Sequence, residues 1–445
     1  MLLTEEHRIK KEGNKGLFRE LDDLCFRAKN LHNATNYLIK QCDRIHRKLQ
    51  SGEALEPWEK EMTDRVNEGI RRYNTGRAES RQLRCVGTDN GFIADAYFLS
   101  WYLKTSVEYK AMPYATCSQI CIQEMCRSWK SFYKALPAYR KDPSRFTGRP
   151  QKPGYLDPKE GRGWLVITSQ NFTREEDGRI RMPGFLKGIH VKARHSGIWQ
   201  IRVKTEKTVI RILLVYEEKE ECPAQPAGGK AIGIDLGVNN LVTAVWTSEE
   251  TPVIISGRAL KSANQFFNRK KAQLQAAAQK GNGRKTTRRM DRLGRKRNNK
   301  VNDILHKTSR KIVDLAVETG AGVIIIGNNK GWKQGINLGN RTNQNFAAIP
   351  HLTLIEMIRY KAALKGIDVR VVQEAYTSGT SYLDGEMPEA PYYNKSRRIY
   401  RGLFRSNTGL CINADVNAAY QILKAGGIKD LKIKKAESVR IIKAS

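Results

Sequence analysis

Acidic side chains are scarce relative to basic ones in this chain of 445 residues: 45 Asp and Glu stand against 79 Lys and Arg, a formal net charge of +34. Self-repulsion of that size works against a compact state and is tolerated where a polyanion neutralises it, which points to nucleic acid rather than to small acidic metabolites. Long apolar runs are missing too. No stretch approaches the roughly 20 residues needed to cross a bilayer, and the opening Met1-Leu2-Leu3-Thr4-Glu5-Glu6-His7 lacks the basic-then-apolar order of a secretory signal. No membrane partner and a cytoplasmic location are therefore expected. Paired cysteines are also lacking. The eight are scattered singly, except that Cys117, Cys121 and Cys126 share a helical pattern that reads as a core face, and reduced thiols are expected. There is no internal repeat and no homopolymeric tract.

What is present divides the chain. Its length suits two or three cores. From about Lys15 to Leu136 apolar residues recur at helical spacing, as in Leu17, Leu21, Leu24, Leu31 and again Ile122, Met125, Trp129, Phe132. Beyond Pro137 the basic stretch 140–155 is too rich in Pro and Gly to stay helical for long, and reads as a linker or an extended segment facing nucleic acid. Residues 163–217 switch to period two, at 164–168, 189–193, 199–204 and 209–216. A small β-barrel or sandwich is expected there, with alternating Lys and Arg giving one sheet face a positive charge. Residues 222–229 read as a hinge.

From Lys230 the pattern predicts strands at 231–238, 241–247 and 252–257, a basic helical stretch at about 261–319, a strand at 322–327, a helix at about 347–365, a strand at 368–374, an irregular insert, and a helix from Asn413. Three sequential strands followed by alternating helices and strands suit an RNase H-like core. The expected fold class is multidomain α+β: a helical domain over 1–137, whose first residues are available to pair with the barrel, a β-barrel domain over 138–228, a nuclease core over 229–376, an insert over 377–410, a C-terminal helix over 411–430 and a basic tail over 431–445.

The chemistry gathers on three carboxylates. Two-metal hydrolysis of a phosphodiester needs acidic groups that hold two Mg²⁺ ions roughly 3.5–4 Å apart. Asp235 follows the apolar strand Ala231-Ile-Gly-Ile, Glu374 ends the strand 368–374 at the same sheet edge, and Asp415 sits at a helix start between Asn413 and Asn417. Each alone has a plainer reading, as a turn residue, a surface glutamate or a helix start. Order, spacing and basic surroundings join them as candidate catalytic and metal-binding residues, with Mn²⁺ able to substitute for Mg²⁺. An actin-like ATPase shares the strand-Asp-Gly opening but leaves the charge unexplained.

The strings Ala28-Lys-Asn-Leu-His-Asn-Ala-Thr-Asn-Tyr37, Trp129-Lys-Ser-Phe-Tyr-Lys-Ala-Leu136, Phe146-Thr-Gly-Arg-Pro-Gln-Lys-Pro-Gly-Tyr155, Gly233-Ile-Asp-Leu-Gly-Val-Asn-Asn-Leu241, Ile326-Gly-Asn-Asn-Lys-Gly-Trp-Lys-Gln334 and Asn413-Ala-Asp-Val-Asn-Ala-Ala419 resemble TnpB, the transposon-encoded relative of compact type V CRISPR effectors. The resemblance covers nearly the whole chain. It implies an RNA-guided endonuclease of prokaryotic cytoplasm, with a helical recognition lobe, a wedge or oligonucleotide-binding barrel, and a RuvC nuclease domain with an insert. The implied partners are a guide RNA, from a transposon end or a CRISPR array, and target double-stranded DNA beside a short flanking motif. Two features depart from the family pattern. The second acidic residue commonly follows the strand matching 322–327, where this chain has Asn328 and Asn329, so relocation to Glu374 is expected; a cleavage-deficient RNA-guided repressor is the alternative. Most relatives also carry paired Cys-x-x-Cys motifs in the insert, whereas this one has Cys411 alone, and zinc is not expected.

Without a four-thiolate site, the insert is expected to hold its shape by packing of Tyr382, Tyr392, Tyr393, Ile399 and Phe404, while Lys395, Arg397, Arg398, Arg401 and Arg405 face substrate. The basic run Arg284, Lys285, Arg288, Arg289, Arg292, Arg295, Lys296 and Arg297 suits backbone contact with a guide–target duplex. Lys330, Trp332 and Lys333 suit stacking or phosphate contacts near the cleft. Arg77, Arg81 and Lys104, mixed with Tyr73, Trp101 and Tyr102, suit duplex reading in the helical lobe, and Arg149 and Lys152 complete the candidate nucleic-acid surface.

Overall fold

The computed structural model describes residues 1–88, 94–146, 148–218, 230–282, 286–328, 349–400, 402–428 and 439–443. The hinge 222–229 and the candidate nucleic-acid residues Arg284, Lys285, Lys330, Trp332, Lys333 and Arg401 lie outside them. The chain forms two compact units, residues 2–218 and 219–445.

In the first unit, strand β1 (Leu2–Lys10) precedes helices α1 (Lys15–Gln50), α2 (Pro57–Asn74), α3 (Ala96–Tyr102), α4 (Val107–Lys110) and α5 (Ala115–Lys141). Phe18, Leu21, Cys25, Ala28, Leu31, Leu38, Ile39, Cys42 and Ile45 form one buried stripe on α1, the three-to-four spacing that commits a helix to a core. Cys117, Cys121 and Cys126 are buried on α5 beside Ile122 and Trp129. The α5 helix runs on through Pro137 to Lys141, because a proline so near the end removes little of the hydrogen-bond ladder.

A polar strip of α1 beside its core stripe does a second job. Lys29 Nζ donates to the Pro158 carbonyl at 2.7 Å, and Asn33 exchanges two 2.9 Å bonds with the backbone of Leu156. Asn36 Nδ2 donates to the carbonyls of Pro153 and Gly154, while its Oδ1 accepts from Trp129 Nε1 at 2.9 Å. The ribbon after α5 is thus clamped onto α1 by its backbone rather than left as a linker, and its buried polar groups are satisfied.

The strands β2 (Leu165–Thr168), β3 (Thr173–Arg174), β4 (Ile180–Arg181), β5 (Ile198–Glu206) and β6 (Val209–Glu217) follow. They correct the expected barrel in three ways. The main sheet is open and four-stranded, ordered β1-β6-β5-β2, with no pairing between its edges among the described residues; β1 pairs antiparallel along β6, Leu2 opposite Glu217 and Lys10 opposite Val209. Residues 189–193 are not a ladder strand: Ile189, Val191 and Ala193 do alternate inward, but they are held by a single bridge between Arg179 and Lys192, made by two backbone bonds, and by a turn bond from Ile189 N to the Leu186 carbonyl. The sheet's basic side chains are largely neutralised rather than free, with Arg8 and Arg211 both on Glu6, Arg211 also on Glu206, and Arg202 on Glu124.

The second unit holds β7 (Ala231–Leu236), β8 (Asn240–Trp246), β9 (Val253–Ser256), α6 (Arg258–Asn282), α7 (Arg288–Glu318), β10 (Val323–Gly327), α8 (His351–Ala363), β11 (Asp368–Val372), the hairpin strands β12 (Arg398–Tyr400), β13 (Leu403–Arg405) and β14 (Cys411–Asn413), α9 (Ala414–Ala425) and β15 (Arg440–Lys443). Its sheet runs β11-β10-β7-β8-β9-β15, with β10 parallel to β7 and to β11. The basic helical stretch expected at about 261–319 is built as two helices, and Thr287 caps the second through Met290 N. The tail is not merely basic: Arg440–Lys443 adds a parallel edge strand to β9. Period two sends Ile232, Ile234 and Leu236 of β7 into the core beneath α7 and α8, and turns Ala231, Gly233 and Asp235 toward α9.

Candidate active site

Why Asp235 and Asp415 meet follows from what lies between them. A Cβ on Gly233 would sit 2.5 Å from the Ala419 carbonyl oxygen and 2.6 Å from Leu423 Cγ; one on Gly327 would sit 2.5 Å from Ile422 Cδ1. At Gly233, which meets backbone, only hydrogen lets α9 lie this close to β7; at Gly327 the neighbour is the end of the Ile422 side chain. The start of α9 is fixed by Asn413, whose Oδ1 accepts from the backbone N–H of Asp415 at 3.0 Å and of Val416 at 3.3 Å, and Asn417 anchors it by accepting from Tyr382 N and donating to the Thr380 carbonyl.

Asp235, Glu374 and Asp415 line one cavity of about 280 Å³ together with Asn239, Asn240, Thr377, Ser378 and Arg398. Glu374 lies two residues beyond β11 rather than within it. Because Gly327 is level with Val372 in the parallel ladder, Glu374 rises past the end of β10, and its Oε1 would be 3.1 Å from a Cβ on Gly327. The carboxylate thus lies at the end of β10, beside Gly327. Tyr376, just after it, has φ 61°, and its carbonyl takes the Thr380 Oγ1 hydrogen at 3.0 Å.

Burial raises the Asp235 carboxyl well above its usual range, and the negative charge and hydrogen bond of Glu374 beside it add to the effect, with Asp415 adding more and Arg398 opposing. Burial likewise raises Glu374, although its bond with Asp235 works the other way. Two buried carboxyls in contact cannot both ionise cheaply; they share a proton or take up a cation. Asp415 is held differently: Asn240 Nδ2 donates to its Oδ2 at 2.7 Å and Arg398 Nη2 approaches Oδ1 at 3.4 Å. Among the described residues no group of three or more His, Cys, Asp or Glu side chains is arranged as it stands to hold one metal ion. The Asp235–Glu374 pair is a hard oxygen donor set suited to Mg²⁺ or Mn²⁺, with Asp415 engaged by its own partners at the same cavity.

The family model described as probable transposase, OrfB_IS605, matches residues 200–333, and the Cas12f1-like TNB domain model matches 351–422. A TnpB-like protein of Acidianus two-tailed virus is 26% identical over 291 residues, 61% of this chain and 60% of the relative. Over residues 200–333 this chain is similar to the TnpB/OrfB transposases. The chain is also 26% identical over 273 residues to a CRISPR-associated endodeoxyribonuclease, Cas12f2, of a Micrarchaeota archaeon, covering 58% of this chain and 48% of that one. It spans about half the length of the curated relatives it matches. A solved Cas12f1–sgRNA–target DNA complex aligns with 91% of this chain and 84% of its own at 14% identity and TM-score 0.47.

The other candidate residues are spread widely. Arg77 stacks on Tyr73, 3.8 Å from the ring centre, and with Arg81, Leu83, Asp95 and Tyr97 lines a second cavity of about 440 Å³. Arg288, Arg289, Arg292 and Lys296 are exposed on α7 and Lys104 and Arg149 are exposed in the first unit, whereas Arg297 is tied to Asn264 at 2.7 Å. Lys152 is not a free cation: its Nζ lies 2.6 Å from buried Asp43. Of the five insert residues expected to pack, Tyr382 and Phe404 are buried, Tyr382 stacked on Tyr420 of α9, whereas Tyr392, Tyr393 and Ile399 are 40–47% exposed. Lys395 and Arg405 are exposed. Arg397 does not face outward, since its half-buried side chain is paired with Glu386 at 2.6 Å. Asn240, Glu386 and Asn417 were not singled out as site residues from sequence; only the Asn239-Asn240 pair inside the Gly233–Leu241 string, and Asn417 beside Asp415, offered a signal.

Proposed function

We propose that this chain is an RNA-guided double-stranded DNA endonuclease that recognises a short flanking motif, lets its guide pair with the target strand, and hydrolyses DNA at the cavity of Asp235, Glu374 and Asp415. The observation that carries the reading is the convergence on one cavity of three carboxylates 139 and 41 residues apart in sequence, 235 to 374 and 374 to 415, in a chain carrying +34. Divalent ions bound there would polarise the scissile phosphate and activate water. Asp235 and Glu374 would hold them, and Asp415 would join on parting from Arg398. Arg398, at the rim of the same cavity, would meet a phosphate oxygen once released, and Asn240 would keep Asp415 aimed inward. Exposed Arg288, Arg289 and Arg292 would grip the duplex backbone, leaving sequence to be read by base pairing.

Asp235→Ala and Asp415→Ala are each expected to abolish Mg²⁺-dependent cleavage while leaving co-purified RNA in place, with cleavage followed on a target programmed from the sequenced RNA. Loss of RNA binding in those variants would count against the assignment. The arrangement of Asp415 on Asn240 and Arg398, away from a ready cluster, favours one rival, a guide-carrying DNA binder that does not cut. A wild-type protein that binds its programmed target and never cleaves it would decide for the rival.

A further inference from the structure

Arg397 and Arg398 are adjacent, yet they serve opposite sides of the chain. Arg397 Nη1 donates to Glu386 Oε2 at 2.6 Å, and the two side chains are 14% and 10% exposed. The same Oε2 accepts from the Ser381 backbone N–H at 2.7 Å. Hydrogen bonding from Arg397 and Ser381 overcomes the effect of burial and lowers the Glu386 carboxyl below its usual range. The backbone carbonyl of Glu386 in turn accepts from Gln421 Nε2 at 3.2 Å and Lys424 Nζ at 2.9 Å, both on α9, the helix that begins beside Asp415. One residue on, at the start of β12 where successive side chains alternate, Arg398 turns the other way, to Asp415 and the cavity.

We propose that the Glu386–Arg397 ion pair is a positioning device for the candidate active site: it pins the entry to β12 between the 381–386 turn and α9, and so holds Arg398 against Asp415. The proposal rests on the endonuclease reading for its consequence and on the geometry alone for its mechanism. Arg397 is committed to Glu386, so Arg398 is the member of the pair presented to Asp415. Glu386 belongs to the same turn as Tyr382, which stacks on Tyr420 of α9, so the anchor moves with the helix that carries Asp415. Neither Glu386 nor Arg397 lines the cavity, and they act only through their neighbours. Glu386 thereby sets how strongly a cation charge weighs on the carboxylates before substrate arrives.

The test is a double-mutant cycle on the full chain with its co-purified RNA, comparing wild type, Glu386→Gln, Arg398→Ala and the double variant. Single-turnover cleavage of pre-bound DNA is expected to slow roughly 10- to 100-fold in Glu386→Gln, the loss usual for a residue that orients a ligand, with DNA affinity unchanged within about twofold. The double variant is expected to be no slower than Arg398→Ala, and Arg397→Lys, which keeps the charge, to recover part of what Arg397→Ala loses. In a second readout without DNA, Mn²⁺ affinity by electron paramagnetic resonance should rise roughly 30-fold in Arg398→Ala, the effect of removing a unit charge about 4 Å from a divalent ion in water-like screening, should rise in the same direction in Glu386→Gln as Arg398 is let go, and should rise no further in the double than in Arg398→Ala. Multiplying losses in the double variant, or an unchanged cleavage rate in Glu386→Gln, overturn the positioning role. If wild type does not cut, the endonuclease reading fails by itself, and the Mn²⁺ series still decides: unchanged affinity in Glu386→Gln refutes the device. If Glu386→Gln does not fold, Arg397→Lys carries the same comparison.

Discussion

Replacing Asp43 with asparagine should destabilise the first unit by about 2–3 kcal/mol. Asp43 on α1 is 4% exposed and accepts from Lys152 Nζ at 2.6 Å, from Arg47 Nη2 at 2.8 Å and from the Tyr133 hydroxyl. A charge-assisted bond to a desolvated partner is worth about 1.5–3 kcal/mol and an exposed pair about 0.2–1. Arg47 is 58% exposed and Lys152 33%, so Arg47 counts at the low end and Lys152 between the two. Asparagine keeps one acceptor and turns an amide against a former donor, so about 2–3 kcal/mol is lost, and melting of a unit this size should fall by roughly 4–10 °C. Burial alone would raise the Asp43 carboxyl, but the Lys152 and Tyr133 bonds hold it below the ordinary aspartate value of 3.8. A carboxyl depressed in the folded state contributes stability above its unfolded pKa and loses it as pH falls through the folded one. The gap between wild type and Asp43→Asn, read by near-ultraviolet circular dichroism melts, should therefore be full at pH 7 and close progressively below about pH 4. Equal melting temperatures at pH 7, or a gap that persists unchanged at pH 2, would refute the reasoning. So would a Lys152→Met variant that leaves melting untouched and weakens nucleic-acid binding, since Lys152 would then belong to the interface and not to Asp43.

Three further outcomes are expected. Native thiol labelling at pH 8 should modify exposed Cys411 quickly and spare Cys25, Cys42, Cys117, Cys121 and Cys126, whose burial pushes them up to about 11, 12, 11, 12 and 12; peptide mapping that finds Cys121 modified before unfolding would contradict the core. Gly233→Ala should cost roughly 1–3 kcal/mol as α9 is pushed off β7, and should impair cleavage more than it lowers melting temperature, whereas normal cleavage would show that the close approach is dispensable. Arg289→Ala and Arg292→Ala should each reduce the slope of log affinity against log salt for DNA binding by about one unit; an unchanged slope would remove α7 from the duplex contact.

The parts that could be read without coordinates are those where chemistry is local. The Ile-rich 231–236 run and the Gly after Asp235 fix a strand and its exit, and Asn413 ahead of Asp415 fixes a helix start, because period and capping act within a few residues. What could not be read depends on distant partners. In Lys395-Ser396-Arg397-Arg398 nothing local tells which arginine meets a carboxylate, since Glu386 and Asp415 lie 11 and 17 positions away. The same holds for the strand cations: Glu6 neutralises Arg211 across 205 residues, so counting charges overstated the positive face. Residues 440–443 looked like a basic tail because Arg440 and Lys443 frame only two isoleucines, and a parallel edge strand needs the open side of β9 to declare itself.

The clamp of Lys29, Asn33 and Asn36 on the ribbon 153–158 grips carbonyls and amides, not side chains. Its grip is blind to the letters it holds. A position such as Tyr155, half-exposed with the Lys40 ammonium over its ring at 4.3 Å, can therefore be rewritten at small cost to the fold, and a new contact surface can be drawn there on a ready-made rail.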